Sequence, residues 1–379
     1  MKILHTADWH IGKIVNEFSM IEDQAYFFEQ LIKQVKEFKV DVLIMAGDLY
    51  DRAIPPREAV TLANNILTRL TQEVGIPVLA IAGNHDSNER IEYGAELMAA
   101  SQLYIEGTVK EHVRKVTIEA VDFYLLPFSD HIQIRKLFPD EIIQTIEDAT
   151  RIQIETIKKE MDKNKVNILI MHGYVIPGDS AESVETSESE RPLTIGTAEY
   201  IRSDLFSDFN YVALGHLHKA QRVGSENIRY SGSPLKYSKS EANHKKQTLL
   251  VTIEGKEISV EPIRIEPLRD VQVLKGTFEE LIKHESEDYV FFELEDEQTI
   301  MEAMNKLRKK YPNAMGLEYV RLQKKEDKKA LEHRQAIKEQ TLPELFNQYY
   351  QTYREKELNE KQIEAIQHIY AKIGGEEDK

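Results

Sequence analysis

The chain has no cysteine in 379 residues, so disulfides and thiolate sites are excluded and any metal must be held by imidazole and oxygen. Long apolar runs are also missing. No uninterrupted stretch approaches the ~18 residues of a membrane-spanning helix, and Met1-Lys2-Ile3-Leu4-His5 enters a strand without the charged start, apolar middle and cleavage site of an exported precursor. Neither export nor membrane insertion is expected, and a cytoplasmic location fits. Positive charge is short too. With 49 Lys and Arg against 65 Asp and Glu the net charge is -16, which argues against a free-standing, high-affinity nucleic-acid binder that would gain affinity by neutralising phosphates. Divalent ions could still make a cationic floor under an acidic surface, and a partner subunit could supply basic surface. Tryptophan occurs once, at Trp9, where packing beneath a ligand pair is favoured over stacking on a base.

What is present is enough apolar residue for a large domain and smaller additions, 41% of the chain. Five short patches stand out: Asp8-Trp9-His10, Gly47-Asp48, Gly83-Asn84-His85-Asp86, His172-Gly173 and Gly215-His216-Leu217-His218. Each follows a short apolar run (3–4, 40–46, 78–82, 166–171 and 211–214) that reads as a buried strand, so the ligands leave strand ends on one edge of a sheet. Asp8 and His10, two apart in an extended segment, point to one side and can share an ion, as can His216 and His218. Asp48 is the natural bridge between two ions, Asn84 offers an amide oxygen and His172 a further imidazole. Mixed nitrogen and oxygen ligation suits Mn(II), with Fe, Co or Zn as alternatives and Mg or Ca disfavoured. Such a pair, about 3.5–4 Å apart, activates water and clamps phosphoryl oxygens. His85 is left off the metals as general acid or hydrogen-bond donor to the leaving oxygen, with Asp51 to orient it and Asp86 as second choice. His5 reads as a core residue. His112, His131, His244, His284, His333 and His368 read as surface or structural.

Up to about residue 265 the pattern alternates strands with helices, over 21–38 and 56–74, in the layered α/β style. Residues 140–163 read as a charged helical excursion on the surface. The Ser/Glu-rich stretch 178–191 reads as a loop, either solvated or gating the substrate. From 267 the grammar becomes strand, helix, strand, helix, strand (271–274, 278–284, 289–294, 299–311, 317–322), a small α+β domain. A charged linker follows at 324–341. Apolar stripes at Leu342, Leu345, Phe346, Tyr349 and Tyr353, and at Ile363, Ile366, Tyr370 and Ile373, then predict a helix pair within 342–374.

The ordered patches resemble the calcineurin-like metallophosphoesterases. More narrowly, 3–13, 46–51, 81–87, Ser189-Glu190-Arg191-Pro192-Leu193 and Tyr230-Ser231-Gly232-Ser233-Pro234-Leu235-Lys236-Tyr237-Ser238 are similar to the nuclease subunits of bacterial SbcCD-type complexes, relatives of the meiotic-recombination nuclease of archaea and eukaryotes. The resemblance implies a metallophosphoesterase β-sandwich flanked by helices over 1–266, a DNA-contacting cap over 267–323, and a tail that binds the coiled coil of an SbcC-type ATPase. It implies Mn-dependent exonuclease cutting of duplex ends and endonuclease nicking of hairpins and single strands, in DNA repair, recombination and replication. It also implies a homodimer formed through 57–72 and 88–103, completed by the ATPase as a heterotetramer. The alternatives are a small-substrate phosphodiesterase or phosphatase, since Gly47-Asp48-Leu49-Tyr50-Asp51-Arg52 also occurs in protein phosphatases, and a DNA-end scaffold. A degenerate ligand set would have favoured the scaffold.

Overall fold

The computed structural model describes residues 1–178, 184–190 and 200–320, with a few isolated positions beyond. They form two compact units. The first comprises Met1–Leu274, His284–Phe292 and Met304–Gly316, and the second Lys275–Lys283, Glu293–Ala303 and the chain from Leu317. The expected linker at 324–341 lies outside the described residues, as does nearly all of the helix pair within 342–374.

The first unit is built on two six-stranded sheets. One runs Glu257–Arg264, Gln247–Glu254, Lys2–Thr6, Val42–Ala46, Val78–Ile81, Leu103–Glu106, and the other Gln221–Val223, Ser225–Tyr230, Tyr211–Gly215, Val166–His172, Val121–Leu126, Arg114–Ile118. Their central strands are buried on both faces, which explains why they read as continuous apolar runs. Alternate residues sort to opposite sides. Ile3, Val42, Ile44 and Leu79 meet Phe123, Ile168, Ile170 and Tyr211 of the other sheet, while Leu4, Leu43 and Met45 pack outward on helix residues Phe27, Leu31, Val35 and Ile66. The helices Ile21–Phe38 and Arg57–Thr68 supply that outer layer. His5 stands in the inter-sheet core, bonded to the Tyr211 hydroxyl at 2.9 Å and the Leu214 carbonyl at 3.2 Å, and burial lowers its pKa to about 3.

The stretch expected to be a surface excursion is instead a layer of the sandwich. The helix Ile146–Glu160 starts on a capping box between Thr145 and Asp148 and buries Ile154 and Ile157 against Leu169 and Met171. Its charged face hides the apolar stripe when composition alone is read.

Beyond residue 267 the strands Val271–Gly276, Tyr289–Leu294 and Ala314–Tyr319 form a three-stranded sheet, with the helices Phe278–Leu281 and Ala303–Leu307 between them in sequence. That order matches the grammar expected, with shorter helices. Within the first unit, Val271, Tyr289 and Met315 join the same core as the helix Ile21–Phe38. In the second, Thr277 and Glu280 form a capping box at the helix start. No helix among the described residues is long and apolar enough to cross a membrane.

Asp23 is buried in the first unit and accepts from Arg269 at 3.1 and 2.6 Å and from the Tyr289 hydroxyl at 2.7 Å. Asp23→Ala leaves that phenol without its acceptor and should lower stability by about 1–3 kcal/mol, the usual cost of an unsatisfied buried group. Chemical denaturation of the two chains checks this, and equal midpoints would contradict it.

Candidate metal centre

Parallel pairing decides where the functional side chains emerge. Lys2–Thr6, Val42–Ala46 and Val78–Ile81 run parallel, as do Val166–His172 and Tyr211–Gly215, so their C-terminal ends lie along one edge of each sheet. Asp8, Asp48, Asn84, His172 and His216 sit at or just past those ends, where ligands of open α/β sheets collect. Local backbone aims them. Asp8, His10, Asp48 and His216 all have positive φ, 54°, 44°, 57° and 110°, an unfavourable conformation for such residues that surrounding structure must enforce. Here Asp8 and His10 donate their N–H groups to the carbonyls of Gly47 and Asp48, each at 3.0 Å. Gly47 is required beside them, because a Cβ there would overlap the His172 ring.

The structure brings all seven expected donors together. His10 Nε2 lies 3.0 Å from His218 Nε2, and Asn84 Oδ1 lies 3.0 Å from both His172 Nε2 and His216 Nδ1. Asp48 Oδ2 stands between the groups, 3.4 Å from His172 Nε2 and 3.6 Å from His10 Nε2. Donor atoms of Asp8, His10 and His218 lie within 4.8 Å of one another, as do those of Asp8, Asp48 and His172. Two features fit divalent ions: the imidazole nitrogens His10 Nε2 and His218 Nε2 face each other, and Asp8 Oδ2 is buried with no hydrogen-bond partner among the described residues. His172 Nδ1 donates to the Ala46 carbonyl at 2.9 Å, so Nε2 is the nitrogen turned toward Asn84 and Asp48.

His85 also reaches the cluster, its ring 4.7 Å from that of His10. Its orienter differs from the expectation. His85 Nδ1 meets the main-chain carbonyl of Asp51 at 2.9 Å, whereas the Asp51 carboxylate takes the Lys13 ammonium at 2.7 Å and lies 3.8 Å from His10 Nδ1. The reason is geometric: the turn after Asp48 presents its peptide oxygen to His85 and turns the Asp51 side chain toward Lys13. Asp86, the second choice, accepts the N–H groups of Leu49, Tyr50 and Gly83, so it ties two ligand loops together. Trp9 is fully buried, packs edge-on against Phe28 and donates to Thr6.

Sequence reading missed the supports. Gln24 donates to the carbonyls of Trp9 and His10 and to the Tyr237 hydroxyl, and Tyr237 donates to Trp9. Glu241, Lys246, Ser189 and Glu190 gather at His218. Tyr237 and Ser189 did lie in stretches already singled out, but isolated polar residues beyond them, Glu241 and Lys246, carry no periodic signal.

Burial and mutual charge separate the groups. Burial pushes Asp8 up to about 7, against the pull of His172 and His218. Burial acts on Asp48 too, but the imidazoles of His172 and His10 outweigh it and hold its carboxyl well below the usual range. Burial opposes charge on His172, yet Asp48 and Asp8 raise it to about 9. Burial, with His172 nearby, lowers His216 to about 3.

Metal-assisted phosphoester hydrolysis is chemistry that such a donor set can serve, and the comparisons place the chain among phosphoesterases. The profile described as calcineurin-like phosphoesterase matches residues 1–220, and one described as type 5 capsule protein repressor C-terminal domain matches 267–354. The chain belongs to the calcineurin-like phosphoesterase family, on its SbcD branch. It is 35% identical to the SbcD component of the SbcCD nuclease of Staphylococcus epidermidis over 379 residues, 98% of this chain and 99% of that protein. Solved structures similar to it include a Thermus thermophilus protein, at 13% identity and TM-score 0.42 over 69% of this chain and 99% of that one. Another is a dimetal phosphatase from Danio rerio, at 11% identity and TM-score 0.41 over 71% and 98%.

Because ligands must shed protons to bind a metal, ions compete with the protons held by His172 and Asp8 at neutral pH. Both pKa values are raised, so those protons are bound below about 9 and about 7 respectively. Loading should release roughly one to two protons at pH 7 and tighten as pH rises. Calorimetry in buffers of different ionisation enthalpy measures this, and pH-independent binding without release would refute it.

Proposed function

We propose that the chain is a Mn-dependent DNA nuclease that processes ends and hairpins together with an SbcC-type ATPase, in repair, recombination and replication. The observation that carries this reading is Asp48 Oδ2 set between two donor groups, the placement a bridging carboxylate needs. Asp8, His10 and His218 would hold one ion, Asn84, His172 and His216 the other, and Asp48 both. When bound, the metals supply charge stabilisation for the phosphoryl oxygens and a nucleophile at neutral pH. His85, its Nδ1 fixed on the Asp51 carbonyl, has its other nitrogen available to protonate the leaving oxygen. Asp51 acts through its peptide oxygen on His85 and through its carboxylate beside His10 and Lys13.

The full-length similarity to an SbcD nuclease component supports both substrate and partner. The profile match beginning at 267 supports a DNA-contacting cap over 267–323, followed by the linker 324–341 and the ATPase-binding pair 342–374. A homodimer is supported by an apolar groove of about 550 Å³ with Val60, Tyr93 and Leu97 along it, the last two 83% and 82% exposed. A cytoplasmic location completes the reading.

Cleavage of a hairpin-ended duplex, compared with a generic phosphodiester dye, tests it. Asp48→Ala should abolish Mn-dependent cutting and metal retention with the fold intact. His85→Gln should keep both metals and cut at least ~10²-fold more slowly. Dye hydrolysis without DNA cleavage would favour the small-substrate phosphodiesterase, and loss of one metal equivalent from His85→Gln would make His85 a ligand.

Removing the chain beyond about Lys338 should leave a metal-binding protein that nicks single strands but fails to co-purify with an SbcC-type partner. Undiminished co-purification would place the docking element elsewhere.

A further inference from the structure

Behind His218 lies a buried polar network that ligation and proton transfer leave unused. Glu241 is fully buried, with Oε1 3.1 Å from His218 Nδ1 and Oε2 paired to the Lys246 ammonium. Lys246 donates as well to the His218 carbonyl at 2.9 Å and to Ser233 Oγ at 2.7 Å. Ser189 Oγ sits 2.7 Å from His218 Nδ1 and donates to Glu241 Oε1. Next to it, Glu190 Oε1 accepts the His218 N–H at 2.7 Å. A buried ion pair is costly to desolvate and is often matched in stability by apolar residues of the same volume. This one brackets a single imidazole, Lys246 holding its carbonyl and Glu241 its ring, so packing alone does not account for it.

We infer that Glu241, anchored by Lys246 and joined by Ser189, is a positioning residue that turns His218 Nδ1–H inward and presents Nε2 toward His10, setting metal affinity at the Asp8, His10 and His218 group. A histidine ligand commonly donates its second nitrogen to such a carboxylate, which fixes both tautomer and ring plane. The Asn84, His172 and His216 group has its own anchor, the Ala46 carbonyl on His172, and does not depend on Glu241. The same geometry gives the described part of the Ser/Glu-rich stretch a function, since Ser189 and Glu190 meet the ring and the N–H of one proposed ligand.

The inference rests on the two-metal reading, and the test separates the two. Mn(II) titration calorimetry and the Co(II) visible spectrum are compared for the full chain, Glu241→Gln and Ser189→Ala. Glu241→Gln keeps the side-chain shape but replaces an acceptor oxygen with an amide. It should weaken one of the two sites by about 10- to 100-fold, the usual effect of losing such a partner, leave the other within about twofold, and alter the Co(II) bands. Ser189→Ala removes one hydroxyl and should weaken the same site less. If Glu241→Gln does not fold, Ser189→Ala decides, and unchanged affinities and spectrum in it would overturn the inference. Two sites of wild-type affinity in a Glu241→Gln chain that is merely less heat-stable would overturn it alone, as a structural role moves stability and not the asymmetry between sites. A wild-type chain that binds no divalent ion would overturn the two-metal reading, and this inference with it.

Discussion

Asp48 holds a carboxylate in a fully desolvated position with imidazole nitrogens on two sides, and the rest of the centre is arranged to keep it there. Its Oδ1 accepts the His85 N–H at 2.9 Å, its main chain receives His10, and Asp86 clamps the peptide groups that follow it. An isolated carboxylate at that depth would be neutralised by protonation. The neighbouring imidazoles reverse that outcome for Asp48 and leave Asp8 to carry the burden of burial. Two carboxylates of one type thus acquire opposite proton affinities, a division consistent with the bridging role proposed for Asp48.

Positive φ at four non-glycine site residues costs of order 1–3 kcal/mol each. The sandwich can sustain this because its strands are pinned from both faces, by the inter-sheet core on one side and the helices on the other. Strain is confined to the turns at the strand ends, and the register behind them is regular. Rigidity in the sheets is therefore converted into fixed directions for side chains on loops, a precision that loops alone do not have.

Much of this was legible in the sequence. The ligand patches stood after apolar runs, and those runs are strands; His5 and Trp9 read as core and are core. The strand and helix order after 267 was legible too, because period-two and period-3.6 patterns alternate cleanly there. What escaped had no local pattern. The helix Ile146–Glu160 hid its stripe among charges, Asp51 revealed its carboxylate but not its peptide oxygen, and Glu241 and Lys246 become meaningful only once a chain reversal places them behind His218. Side chains that act through space on another residue's ring leave no period to read, whereas residues that terminate strands do.

The strand Lys2–Thr6 sits inside its sheet, between Val42–Ala46 and Gln247–Glu254, with His5 opposite Leu249. A ribosome delivers one neighbour almost at once and the other only after most of the chain has emerged, and pairings of such sequence separation form late. The donors are spread likewise, from Asp8 to His218. No fragment released early in synthesis carries a complete set of ligands on a closed sheet. The full donor set is consequently withheld from incomplete chains by topology itself.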